Sequence, residues 1–131
     1  LSEHLIQSAY FSWARLHAVA RRAYAVPNGG HRNIVTASKL KAEGVRAGVL
    51  DVCLPVPSGS AHGMYIEFKA GKNTLSPAQQ AEAEALAADG FVVLLCWGAI
   101  VAIELTQQYL DGKLLPGIID MRPVNPRKAK P

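Results

Sequence analysis

Cysteine is scarce in this 131-residue chain, which has only Cys53 and Cys96. Each sits in an apolar, strand-like run where a reduced thiol packs as a small hydrophobe, so the expected setting is a reducing one, the cytoplasm. Long hydrophobic runs are missing as well. The longest, around residues 90–103, is broken by Gly98 and falls short of the roughly 18–20 residues a membrane span needs. No charged, apolar, small-residue leader opens the sequence at Leu1. Charged residues amount to only 18%, with glycine and proline scattered, which excludes disordered and collagen-like classes. His4, His17, His31 and His62 lack metal-ligand spacing, so a zinc site is not expected. The motifs of serine hydrolases, nucleotide hydrolases and dinucleotide-binding enzymes are absent, as are internal repeats.

What is present is a chain of one-domain length, half of it apolar, enough to bury a sizeable core without a staple. The domain is expected to span residues 1–121, followed by a basic, proline-rich tail over 122–131. Charge is uneven. Residues 1–72 carry nine basic and four acidic groups, whereas residues 73–121 carry one and six. A basic half fits a polyanion partner, and on this count alone it fits plain solubility equally well.

Apolar spacing at Leu5, Ala9, Trp13, Leu16 and Ala20 predicts an amphipathic helix over about 3–20. A short strand over 24–26 runs into the turn Pro27-Asn28-Gly29-Gly30, and a short helix over 34–43 stops at Gly44. Strands over 50–54 and 64–70 read as a hairpin. Ser76-Pro77-Ala78-Gln79 carries N-cap, proline and capping-box signals for a helix reaching Asp89-Gly90. A buried strand over 91–97 and a helix over 99–110, with Ile100, Ile103, Leu105 and Leu110 facing inward, complete an α/β domain with a mixed sheet flanked by helices.

The strand Tyr65-Ile66-Glu67-Phe68-Lys69 carries more chemistry than stability requires. Side chains alternate, so Glu67 and Lys69 share the face opposite Ile66 and Phe68. Asp51 interrupts the neighbouring apolar run, and a buried acid is costly unless paired. If Asp51 and Glu67 meet across the hairpin, two carboxylates about 4 Å apart repel by roughly 4 kcal/mol at an effective dielectric near 20. A Mg²⁺ ion offsets that charge, with Asp51, Glu67 and the Phe68 carbonyl as ligands and Lys69 beside an attacking water. A same-face Glu67–Lys69 salt bridge with Asp51 capping a turn accounts for the same residues, and the pattern alone does not separate the two readings.

Five ordered segments resemble the VRR-NUC family of the PD-(D/E)xK nuclease superfamily, in its short stand-alone phage-type form. They are Pro27-Asn28-Gly29-Gly30, the stretch from Lys39 to Val49, Asp51, Tyr65-Ile66-Glu67-Phe68-Lys69, and Leu75-Ser76-Pro77-Ala78-Gln79. The resemblance covers residues 3 to about 110 and implies an αβββαβ core. It also implies an acidic pair, Asp51 and Glu67, binding Mg²⁺ or Mn²⁺, a catalytic Lys69, and hydrolysis of DNA phosphodiesters. Similar short proteins are homodimeric endonucleases acting on branched DNA such as four-way (Holliday) junctions, which for a phage protein means the host cytoplasm. The family's proline before the motif aspartate is Leu50 here, so a catalytically silent DNA-binding module of the same fold is the alternative.

Two further positions follow from the resemblance. Glu3, one helical turn from Gln7, corresponds to the first-helix acid that related nucleases hold near the metal, although an acid there also complements a helix N-terminus. Gln79 matches a family glutamine near the active site and is at the same time the third residue of a capping box. Arg32, Lys39, Lys41, Arg46 and Lys72 flank these segments and are the expected phosphate contacts. Asn28, Gly29 and Gly30 could offer backbone amides to a phosphate or simply end a strand. Trp13, Phe91, Trp97 and Tyr109 read as core rather than as base-stacking platforms.

Overall fold

The computed structural model describes residues 1–27 and 34–124. Asn28, Gly29, Gly30 and Arg32 lie outside the described residues, as do the tail residues Arg127, Lys128 and Lys130.

Helix α1 (Glu3–Ala14) starts at the N-cap Ser2, whose hydroxyl accepts from the Leu5 amide. It ends six residues earlier than the apolar spacing predicts. His17 Nδ1 accepts from the Val19 and Ala20 amides, 3.1 Å each, and this satisfies the backbone in a turn that leads into a short 3₁₀ segment, Ala20–Arg22. The buried stripe is also a different one. Ile6, Tyr10 and Ala14 face the core while Leu5 and Leu16 are exposed. Both stripes have helical spacing, and Tyr10 decides between them because its hydroxyl meets Thr106 Oγ1 at 2.8 Å in the interior.

Strand β1 (Tyr24–Ala25) precedes helix α2 (Ile34–Ala42), which buries no residue and is closed by Gly44 at φ 102°. Strands β2 (Val52–Leu54) and β3 (Met64–Phe68) form the expected hairpin. Helix α3 (Pro77–Ala88) opens on a complete capping box from Ser76 and Gln79. Strand β4 (Val92–Cys96) is wholly buried, and helix α4 (Ala99–Leu110) has the expected bounds. Its inward face is Ala102, Thr106 and Tyr109, whereas Ile100 is exposed, so the expected inward face is corrected at that residue. A fifth strand, β5 (Gly117–Asp120), adds to the elements the sequence pattern predicts.

The sheet order is β1-β2-β3-β4-β5, antiparallel through β3 and parallel from β3 to β5, so the sheet is mixed as expected. Alternation divides the core between its faces. Val52, Leu54, Met64, Ile66, Phe68, Val92, Leu94 and Cys96 pack with Ile6, Tyr10, Ala102 and Tyr109 of α1 and α4. Leu50, Val93 and Leu95 pack with Ala83 of α3 on the other face, with Tyr65 and Trp97 against them. Each large side chain buried this way contributes about 1.5–3 kcal/mol. Cys53 and Cys96 are free and buried, and burial alone pushes the Cys96 thiol up to about 12. Among the described residues no helix is long and apolar enough to cross a membrane.

Candidate active site

Ile66 and Phe68 take the α1/α4 face of β3, which turns Glu67 and Lys69 toward the α3 face. Both are buried charged residues, with Glu67 only 1% exposed, so this is not a solvated surface pair. Lys69 Nζ stands 3.4 Å from Glu67 Oε2. Across the hairpin, Asp51 lies just before β2 and binds β3 in two places. Its Oδ2 accepts from the Phe68 amide at 2.8 Å, and its own amide donates to Glu67 Oε1 at 3.2 Å.

The carboxyl groups of Asp51 and Glu67 converge. Burial and then the Asp51 charge push Glu67 up to about 8, partly opposed by Lys69. Burial also raises Asp51, opposed by the Phe68 amide and by a hydrogen bond from Glu67. Both shifts favour a proton on the acidic pair in the absence of a cation. The pair holds a proton where it could hold a metal.

Gln79 joins the cluster from the start of α3. Its Oε1 accepts from the Ser76 amide at 3.0 Å while its Nε2 donates to Glu67 Oε2, also at 3.0 Å. The capping role and the site role are thus filled by one amide. Glu3 approaches from the start of α1, near enough for its charge to raise Asp51, but its Oε2 accepts from Asn73 Nδ2 at 2.9 Å. Phe68 presents its amide to Asp51, and in an extended residue the carbonyl shares that strand edge, which is the orientation a backbone ligand needs.

Among the described residues no three His, Cys, Asp or Glu side chains stand together as a ready-made metal cage. The donor set is instead an acidic pair of hard oxygens in a buried setting that disfavours two uncompensated charges. Such a set fits a small divalent cation that keeps part of its water shell. Leu50, in place of the expected proline, is fully buried against Ala83, Val93 and Leu95, and Asp51 beside it still reaches β3.

Lys39, Lys41 and Lys72 are exposed, none within the acidic cluster. Arg46 is exposed too, but both its terminal nitrogens bind Glu82, at 2.8 and 3.0 Å. A cleft of about 780 Å³ opens between α2, the 44–49 loop and the start of α3, lined by Lys41, Arg46, Ser76 and Gln79 among others. The sequence reading overlooked Asn73. Its side chain holds Glu3 and its carbonyl accepts from the Trp97 indole, and a turn-rich Gly71-Lys72-Asn73 segment was its only signal.

A mixed α/β sheet with an acidic pair and a lysine at the junction of its antiparallel and parallel halves defines the PD-(D/E)xK nuclease class. The VRR-NUC domain profile matches residues 1–99. A solved structure described as "VRR_NUC domain protein" is similar at 26% identity and a TM-score of 0.74, covering 91% of this chain and 93% of that one. No curated protein matches the chain. The chain belongs to the VRR-NUC family and is a nuclease-family protein.

Proposed function

We propose that the protein is a Mg²⁺-dependent, structure-selective DNA endonuclease that hydrolyses phosphodiester bonds in branched DNA such as four-way junctions, acting as a homodimer. The observation that supports catalysis is the convergence of Asp51 and Glu67 beside Lys69. Asp51, Glu67 and the Phe68 carbonyl would hold Mg²⁺ or Mn²⁺, with Glu3 as a further metal residue. When bound, the ion supplies Lewis-acid stabilisation of phosphate charge and a more acidic water.

The chain's own residues do the rest. Lys69, kept on the site face by strand alternation, holds the attacking water by hydrogen bond and offsets charge growing on the phosphate. Water attacks phosphorus in line and gives up a proton to solvent, the bond to the 3′ oxygen breaks, that oxygen takes a proton from solvent and leaves as a 3′-hydroxyl, and a 5′-phosphate remains. Gln79 keeps Glu67 Oε2 aimed into the site. Lys39, Lys41, Arg46 and Lys72, together with Arg32, hold the DNA backbone without reading sequence. Two copies related by a twofold axis would match a twofold junction with paired cuts.

The test is cleavage of a synthetic four-way junction with Mg²⁺ by the parent, Glu67→Ala and Lys69→Ala proteins. Metal-dependent cutting by the parent, lost in both variants with binding retained, supports the reading. Binding without any metal-dependent cutting by the parent sinks it in favour of the silent DNA-binding module.

A further inference from the structure

The parallel half of the sheet carries a second group of residues at the same end as the acidic pair. The register pairs Phe68 with Cys96 and Leu95 with Asp120, and the ladder continues through the Lys69 amide to Cys96 and the Met121 amide to Leu95. Lys69, Trp97 and Arg122 follow just beyond the ends of these three neighbouring strands. Alternation sets the first two on the α3 face, and the Arg122 guanidinium lies 5.3 Å from the Trp97 ring centroid.

The indole is held in place. Its Nε1 donates to the Asn73 carbonyl at 3.1 Å, and the ring packs against the α3-side core. The rest of Trp97 lines a cleft of about 440 Å³ with Lys72, Asn73, Thr74, Arg122 and Pro123. Asn73 ties this cleft to the acidic site through its bond to Glu3. Asp120 accepts from the Arg122 amide at 2.9 Å and reaches the guanidinium at 3.7 Å, while that guanidinium lies over the Trp97 ring.

We propose that this cleft is a nucleotide subsite, in which an unpaired base of the substrate strand stacks on Trp97 while Arg122 and Lys72 take the adjoining phosphate. The inference rests on the reading of the protein as a DNA nuclease and deepens it. Arg122 lies over the indole face in the free protein, and an entering base of any kind takes its place on the ring, because every base has a π face, while the guanidinium moves to the adjoining phosphate. Continuously stacked duplex offers no such base, whereas a branch point interrupts the stacking, so that the pair flanking it opens at lower cost and frees a base for the cleft. The subsite thus links the shape of the substrate to the position of the cut, with Trp97 just past the end of β4 and Lys69 just past the end of β3.

The experiment uses the full chain in EDTA, where cutting does not interfere, with two single strands of equal length. One is oligothymidine and the other carries abasic residues throughout, so that only the bases differ. In a Trp13→Phe background the remaining tryptophan reports on the cleft. Oligothymidine is expected to quench its emission and to bind about tenfold more tightly than the abasic strand. Trp97→Leu is expected to abolish that preference and Trp97→Phe to keep most of it. Equal affinity of the unaltered protein for the two strands, or an unchanged preference in a folded Trp97→Leu protein, overturns the subsite and leaves the nuclease reading intact. Failure of the parent to bind any DNA overturns both. Should Trp97→Leu not fold, the parent's preference and quenching together with the Trp97→Phe protein decide the matter.

Discussion

Gln79 Nε2 donates to Glu67 Oε2 at 3.0 Å while the other end of the same amide closes the α3 capping box. Helix start and acidic site are thereby mechanically one unit, since the cap fixes which way the amide faces. Two substitutions separate the functions. Ser76→Ala removes the cap hydroxyl and is expected to cost about 1 kcal/mol, with junction cleavage by the folded protein nearly unchanged. Gln79→Ala is expected to cost a similar amount but to lower the cleavage rate at least tenfold, because Glu67 loses its guide. Urea denaturation paired with single-turnover cleavage checks both.

The raised Glu67 carboxyl sets a pH dependence of stability with a definite sign. Its value is about 8 in the fold against an ordinary 4.5, so the native state keeps a proton that the unfolded chain releases. Stability without divalent cations therefore falls as pH rises from about 4.5 to about 8. The size is on the order of a few kcal/mol. Glu67→Gln is expected to flatten the curve and to exceed the parent in stability at pH 8. Added Mg²⁺ is expected to stabilise the parent more at pH 8 than at pH 5, and to do little for the variant. Thermal melts with EDTA or Mg²⁺ at the two pH values read all three effects.

The parts legible in the sequence were those written in local chemistry. The Ser76–Gln79 cap, the alternation that separates Glu67 and Lys69 from Ile66 and Phe68, and the buried run of β4 all depend on residues near one another in the chain. What failed to show depends on partners far away. Strand β5 is only Gly117–Asp120, half-buried and without an alternating pattern, and it exists because β4 offers an edge to pair with. The buried stripe of α1 was set by Thr106, 96 residues from Tyr10. Trp97 packs against the core as its apolar run predicts, but that run does not reveal that the strand stops before it and leaves the rest of the ring lining a cleft. The meeting of Asp51 and Glu67 needed both the hairpin register and the resemblance, since either acid alone is ordinary.

Arg46 is bound at both nitrogens by Glu82 and so starts partly neutralised. If it contacts a phosphate, Glu82 competes with DNA for it. Glu82→Gln is expected to tighten junction binding severalfold at low salt, and Arg46→Ala to weaken it. Arg46→Ala is also expected to reduce the slope of log affinity against log salt by about 0.9, the share of one phosphate contact. Binding titrations across a salt series measure this, and an unchanged slope removes Arg46 from the interface.

Gly48 is where the loop before Asp51 touches the helix that carries Gln79. Its φ is +90°, and a Cβ there would sit 2.6 Å from the Ala78 carbonyl oxygen, a contact that neither backbone can relieve without moving. Gly48→Ala therefore strains the loop twice, through the left-handed conformation and through the clash, at a cost of about 2 kcal/mol or more. The damage would not stop at stability. Pushing Ala78 away displaces Gln79 next to it, while shifting the loop moves Asp51, so the two acids part. Glu67 is then expected to lose much of its upward shift, and the pH dependence described above should shrink with it. Gly44→Ala is the control, because its Cβ meets nothing within 4 Å although its φ is +102°. It is expected to destabilise through backbone strain alone and to leave cleavage by the folded protein and the pH profile close to the parent's.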